Sequence, residues 1–151
     1  MSEEKLICFG NSRYDDSEKI NNARGGVAIF YRKEVSKYVK QIDTNLDWCN
    51  AIEITVESHT IILINVYMPF QCDKNKEMYM QCLGAIRNII DEGSSSSYMI
   101  LGDWNANLRT DQRSLFGKPM IDFCNENNLI IIDKELCADD SIRSHSMHCR
   151  F

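Results

Sequence analysis

Apolar positions change their period several times along the chain, and each change predicts a different element. From Asp47 to Glu57 they alternate, with Trp48, Ile52, Ile54 and Val56 on one side and Cys49, Ala51, Glu53, Thr55 and Glu57 on the other. A period of two predicts a strand with one face buried. Ser58-His59-Thr60 reads as a turn. The following run, Ile61-Ile62-Leu63-Ile64-Asn65-Val66-Tyr67, is apolar on both faces, which predicts a strand inside a sheet covered on both sides. Pro69 lacks a backbone donor and should end it. The two runs together predict an antiparallel hairpin.

Between Asn75 and Asp91 the spacing lengthens to three and four: Tyr79, Cys82, Leu83, Ile86, Ile89 and Ile90 form one stripe of a helix. Gly93 and the serines that follow stop it. Tyr98 to Leu101 is a short buried strand running into Gly102-Asp103-Trp104-Asn105. A second helix is expected from Lys118 to Asn127, with Pro119 near its first turn, and a short strand from Leu129 to Ile132. Upstream, Leu6 to Phe9 reads as a strand and Gly10 to Ala23 as a polar loop. Arg24-Gly25-Gly26 then makes a turn or bulge into the run Val27 to Tyr31. Residues 134–151 are polar and without steady period, so the pattern predicts one domain over residues 1–133 and an irregular tail over 134–151. Strand, strand, helix, strand, helix, strand is a layered α/β arrangement.

The chain has 151 residues, enough for one core, and at 44% apolar and 26% charged it is globular rather than disordered. No apolar run approaches the length that crosses a bilayer, and the start, Met1-Ser2-Glu3-Glu4-Lys5, lacks the pattern of a secretory signal. The seven cysteines (Cys8, Cys49, Cys72, Cys82, Cys124, Cys137, Cys149) are odd in number, spread out, and form no C-x-x-C pair. Free thiols in a reducing, intracellular setting fit them better than a disulfide framework or a zinc knuckle.

The net charge of −5 runs against non-specific nucleic-acid binding, in which Lys and Arg neutralise phosphates. Locally, Arg24, Arg32, Lys33, Lys37 and Lys40 crowd one stretch. They can form a phosphate-facing rim or the solvated surface of a hairpin.

The candidate chemistry lies at two strand ends, where sites on such sheets gather. Asp103 arrives at the edge of the core on an apolar strand, and Gly102 before it allows a close approach by backbone or ligand. A carboxylate there can hold a hard cation or orient a water. Asn105 offers an oxygen to a metal, or an N–H to a phosphate, without adding negative charge. Tyr67 ends its own strand and can donate its hydroxyl to the same phosphate. For Gly-Asp alone the bland alternative is a turn closed by the Asx side chain, and for Tyr67 and Pro69 it is packing.

Taken in order, Arg24-Gly25-Gly26-Val27-Ala28-Ile29, Asn65-Val66-Tyr67-Met68-Pro69 and Leu101-Gly102-Asp103-Trp104-Asn105-Ala106 form a specific set. The chain resembles the endonuclease/exonuclease/phosphatase (DNase I-like) superfamily over residues 23–133, and most closely the endonuclease domains of LINE-type non-LTR retrotransposons. The resemblance implies part of a four-layer α/β/β/α sandwich acting on DNA phosphodiesters with Mg²⁺ or Mn²⁺. It implies catalytic roles for Tyr67 at the scissile phosphate, for Asp103 in orienting the water, and for Asn105 beside it, with Asp103 and Asn105 near the metal. It also implies an intracellular, nuclear setting and a reverse transcriptase in the parent protein. Trp104 stands where the family has Phe.

The departures are as informative. Family members begin with a strand bearing Asn and then a metal-binding Glu; Glu3 and Glu4 lie in an unpatterned end and do not match. Members finish with a terminal Asp-His pair; His148-Cys149 resembles that pattern weakly and lacks its Asp. His145, His148 and Cys149 make a weak metal pattern. The expectation is therefore a fragment of a Mg²⁺-dependent endonuclease, weak or inactive alone, with exposed apolar surface and unpaired edges. The alternatives are a non-catalytic nucleic-acid- or partner-binding module, and a superfamily phosphatase acting on another phosphoester.

Overall fold

In the computed structural model, Ile62, Ile64 and Val66 are buried along one side of strand β5 (His59–Tyr67) and seed the main core. The structure describes residues 5–11, 26–93, 97–108 and 114–132, and the backbone of 148–150. The other described elements are β1 (Leu6–Asn11), β2 (Val27–Arg32), β3 (Val39–Ile42), β4 (Cys49–Val56), α1 (Lys76–Glu92), β6 (Ser97–Asp103), α2 (Gly117–Glu126), β7 (Ile130–Ile131) and β8 (His148–Arg150). Two single 3₁₀ stretches, Lys33–Tyr38 and Asp73–Asn75, join some of them.

Six strands form one sheet in the order β3-β4-β5-β6-β8-β7, and β1 and β2 form a second, antiparallel pair. The hairpin expected between β4 and β5 is present, with Val56 opposite His59. Its turn is Glu57-Ser58, shorter than the three residues expected. A two-residue hairpin loop needs positive φ, and Glu57 supplies it at 56°. β5 and β6 run parallel, joined through α1 as such a crossover requires.

Helix α1 packs its stripe of Tyr79, Cys82, Leu83, Ile86 and Ile90 against one face of the large sheet, as its period indicates. Helix α2 adds Met120, Phe123 and Cys124 to the same core. Tyr79 stacks on Phe116 with ring centroids 4.0 Å apart, and Trp104 is fully buried 6.3 Å from Phe123. Arg87 of α1 and Glu126 of α2 pair at the surface between the helices. The β1–β2 pair covers the opposite face, so the described residues form helix, sheet and sheet layers of a mixed α/β sandwich.

This second covering layer corrects the reading of β4. The strand begins at Cys49, and its first four residues, Cys49 to Ile52, are buried on both faces. Cys49 and Ala51 join the helix-side core, while Asn50 faces β1 and β2 through hydrogen bonds from its Nδ2 to the carbonyls of Phe9 (2.8 Å) and Val27 (3.5 Å). Alternation cannot reveal a second cover that comes from distant residues.

Two further strands escaped the pattern. β3 follows a 3₁₀ turn with no buried residue, and its four residues, Val39-Lys40-Gln41-Ile42, do not alternate. β8 lies in the tail expected to be irregular, yet pairs with both β6 and β7. The rest of that tail, with His145 and Cys137, lies outside the described residues, as do Glu3, Glu4, Arg24 and Gly25.

The outward side of β1–β2 carries exposed Leu6, Cys8 and Phe30. The described cysteines Cys8, Cys49, Cys72, Cys82 and Cys124 are free thiols. No helix among the described residues is long and apolar enough to cross a membrane.

Candidate functional site

Strands β5 and β6 end side by side. Because they run parallel and in register, Tyr67 lies directly opposite Asp103, and paired residues of neighbouring strands project from the same face. That face is the one turned toward β1–β2: Asn65, two residues before Tyr67, donates from Nδ2 to the carbonyl of Ala28 at 3.2 Å. Tyr67 is 47% exposed and Asp103 is partly buried, so both sit at the mouth of the sandwich rather than inside it.

The strand ends are locked together beyond the sheet. Tyr67 N–H donates to the carbonyl of Trp48 and Met68 N–H to that of Asp103, each at 2.8 Å. Asn105 Nδ2 donates to the carbonyl of Met68 at 2.8 Å, while its own backbone N–H donates to Asp103 Oδ1 at 3.0 Å. The second bond is the Asx turn of the bland reading. It does not displace the functional one, because it fixes the plane of the carboxylate next to Tyr67. Asn105 holds φ at 48°, a left-handed conformation that Asn tolerates better than most residues. Gly102, at φ 125°, is required: a Cβ there would stand 1.9 Å from the carbonyl oxygen of Val66. The close approach expected at Gly102 is thus made by backbone.

All three candidates therefore share one rim. The basic cluster does not join them. Asn50 and Asn65 are paired across β4–β5 and bond to Val27 and Ala28, so the start of β2 lies at the Tyr67 end. Arg32, at the other end of β2, pairs with Leu6. Lys40 lies in the row of Glu53 and Ile62, five residues along β5 from Tyr67, which is about 16 Å at the rise of a strand. Lys40 pairs with Glu53 at 3.9 Å and Lys37 lies over the Tyr38 ring at 4.7 Å. Arg32 and Lys40 thus lie away from the end of the sandwich that carries Tyr67 and Asp103. A cavity of about 530 Å³ also lies away from the candidates, between α1 and the segment 40–46.

Of three amides that carry the layer junction, Asn65 belongs to a motif named from the sequence, while Asn11 and Asn50 were not singled out from it. Asn11 Nδ2 reaches the carbonyls of Leu46 and Cys49, each at 2.9 Å, and Thr44 Oγ1 at 3.2 Å. With Asn50 and Asn65 it stitches the sheets together beside the candidate rim. The available signal was a lone amide inside an apolar strand, because a buried polar group must find a partner. On the helix side, burial pushes the Cys49 thiol up to about 12, with Cys82 adding to the shift. The Tyr79 hydroxyl is raised well above its usual range, chiefly by burial.

The donors at the rim are oxygens, one carboxylate and one carboxamide. No group of three His, Cys, Asp or Glu side chains able to hold a metal occurs among the described residues. That set fits Mg²⁺ shared with substrate phosphate and water, and does not fit a cation caged by protein alone.

No protein-family model matches the chain, and no curated protein matches it in sequence. Its fold, in contrast, is that of the endonuclease/exonuclease/phosphatase, or DNase I-like, proteins. Among solved structures it is similar to the endonuclease domain of TRAS1, a telomere-specific non-LTR retrotransposon, at TM-score 0.61 and 16% identity over 95% of this chain and 64% of that one. It is similar to the human Nocturnin catalytic domain at TM-score 0.58 and 14% identity over 97% of this chain and 60% of the other. A family protein from Bacteroides thetaiotaomicron gives 0.56 and 12% over 95% and 59%. The chain thus spans about three fifths of the length of these structures.

Proposed function

We propose that this chain carries part of the active site of a Mg²⁺-dependent DNA endonuclease, and that by itself it binds the phosphodiester with little or no turnover. One observation carries the reading: Tyr67 and Asp103 stand opposite each other at the ends of adjacent parallel strands, with Asn105 tied to the same strand end. The likeness in fold to the TRAS1 endonuclease domain supports the choice of DNA.

In this reading the Tyr67 hydroxyl donates to a non-bridging phosphate oxygen. Asn105 has one amide hydrogen on Met68 and directs the other at the same phosphate. Asp103, its plane set by the Asn105 N–H, orients the attacking water. Asp103 and Asn105 would hold Mg²⁺ together with the phosphate, and the ion would supply charge stabilisation. The low turnover is argued from the donor set: one carboxylate would serve both the water and the cation, and no group of three His, Cys, Asp or Glu side chains able to hold a metal occurs among the described residues.

The test is nicking of supercoiled plasmid with Mg²⁺, alongside binding of a labelled oligonucleotide at low salt. The expected result is equal background nicking by wild type and Asp103→Ala, with wild-type binding that weakens as salt rises. Nicking by the wild type that Asp103→Ala abolishes would overturn the low-turnover part. Failure of the wild type to bind would overturn the phosphate site.

A further inference from the structure

Phe70 is 67% exposed, and among the described residues its ring belongs to no part of the hydrophobic core. A solitary exposed apolar side chain needs no explanation by itself. Phe70 differs because of where it stands and how it is held. It lies three residues after Tyr67, a reach of at most about 11 Å of chain, which is roughly the span of one or two nucleotides. Met68 between them is buried and anchors the segment, and Pro69 restricts the backbone just before the ring.

The loop is pinned on both sides of Phe70. Before it, Met68 is bonded to both Asp103 and Asn105. At it, Asn75 Nδ2 donates to the Phe70 carbonyl at 3.0 Å. After it, Ser114 Oγ donates to Gln71 Oε1 at 3.1 Å. An aromatic ring is therefore held in water, beside the proposed phosphate site, by a preorganised backbone. Little order remains to be gained when a flat ligand settles on it.

From this we infer that Phe70 is a base-stacking residue: it takes the nucleobase next to the phosphate bound at Tyr67, and so selects nucleic acid over phosphoesters without a base. The inference rests on the proposed function and adds the part of the substrate that lies beyond the phosphate. Stacking suits this chain, because its net charge of −5 disfavours a purely electrostatic hold on the nucleic-acid backbone. Every base offers a π-face, so the contact gives preference for nucleic acid and little preference for sequence.

The test uses the full chain and two fluorescent oligomers at low salt: oligo-dT, and a base-free tetrahydrofuran-phosphate chain of equal length. Phe70→Ala is expected to weaken oligo-dT binding by about 5-fold or more, the size of one aromatic–base stack. It should change base-free binding by less than about 2-fold. Phe70→Trp should restore oligo-dT binding, and its added tryptophan emission should be quenched by oligo-dT and not by the base-free chain. The thermal midpoint of Phe70→Ala should equal that of wild type. Equal loss on both oligomers, or no loss on either, overturns the stacking role. Oligo-dT binding that needs Phe70 and ignores Tyr67→Phe overturns the phosphate site and leaves stacking standing. If wild type binds neither oligomer, both fall together.

Discussion

The two faces of the large sheet are built from alternate residues of the same strands, yet they are held by different chemistry. Toward the helices, Ile62, Ile64, Val66, Tyr98 and Ile100 meet Tyr79, Leu83, Ile86 and Trp104 in a mostly apolar core. Toward β1–β2, Asn50 and Asn65 bridge to backbone carbonyls, and the row ends in half-exposed Tyr67 and in Asp103. The apolar face supplies stability through burial. The amide face fixes two sheets in one register and leaves an open polar rim. A site that must admit a charged ligand can be placed only on the second face, because burying an unpaired charge in the first is too costly.

Removing a large side chain from the apolar face should have the greatest effect. Trp104→Ala should lose about 3–5 kcal/mol of stability, measured by urea unfolding, through lost transfer energy and a cavity between β6 and α2. A loss under about 1 kcal/mol would mean that the two faces do not differ as described.

On the amide face, Asn50→Ala should cost less, about 1–3 kcal/mol, by leaving the Phe9 carbonyl without its donor. The buried Asn50 Oδ1 has no partner among the described residues, so part of that cost is offset when the side chain goes. If Asn50→Ala proved as damaging as Trp104→Ala, the junction rather than the helix-side core would be the main source of stability.

Alkaline pH probes the apolar face alone. The buried Cys49 thiol stays protonated until about 12, whereas its ordinary value is 9.0. The unfolded chain therefore loses this proton first. The stabilisation is complete below the ordinary value and declines as pH rises toward the folded one, with a slope of at most about 1.4 kcal/mol per pH unit. Cys49→Ala should flatten that decline, and exposed Cys8 should react with thiol reagents long before Cys49, Cys82 or Cys124. Rapid labelling of Cys49 in the folded protein would contradict a sealed face.

The smallest stability effect belongs to the rim. Tyr67→Phe should shift stability by no more than about 0.5 kcal/mol, since the half-exposed hydroxyl supports no packing, and should still weaken oligonucleotide binding. A large loss of stability would make Tyr67 a structural residue.

Much of this was legible in the residues themselves. The three-and-four spacing of Tyr79 to Ile90 defined α1, and the doubly apolar run to Tyr67 marked a strand covered on both sides. The ordered motifs around Tyr67 and Asp103 pointed to the fold. These signals are local or repeat at a fixed period, so a linear reading can find them. What tertiary structure decided was placement. Parallel pairing of β5 with β6 set Tyr67 opposite Asp103, the β1–β2 layer buried both faces of β4, and β8 joined the sheet from a stretch with no period of its own. The same packing carried Lys40 toward the far end of the sandwich and left Phe70 three residues beyond Tyr67. Such outcomes depend on contacts between residues tens of positions apart, and these are fixed by how layers stack rather than by any spacing along the chain.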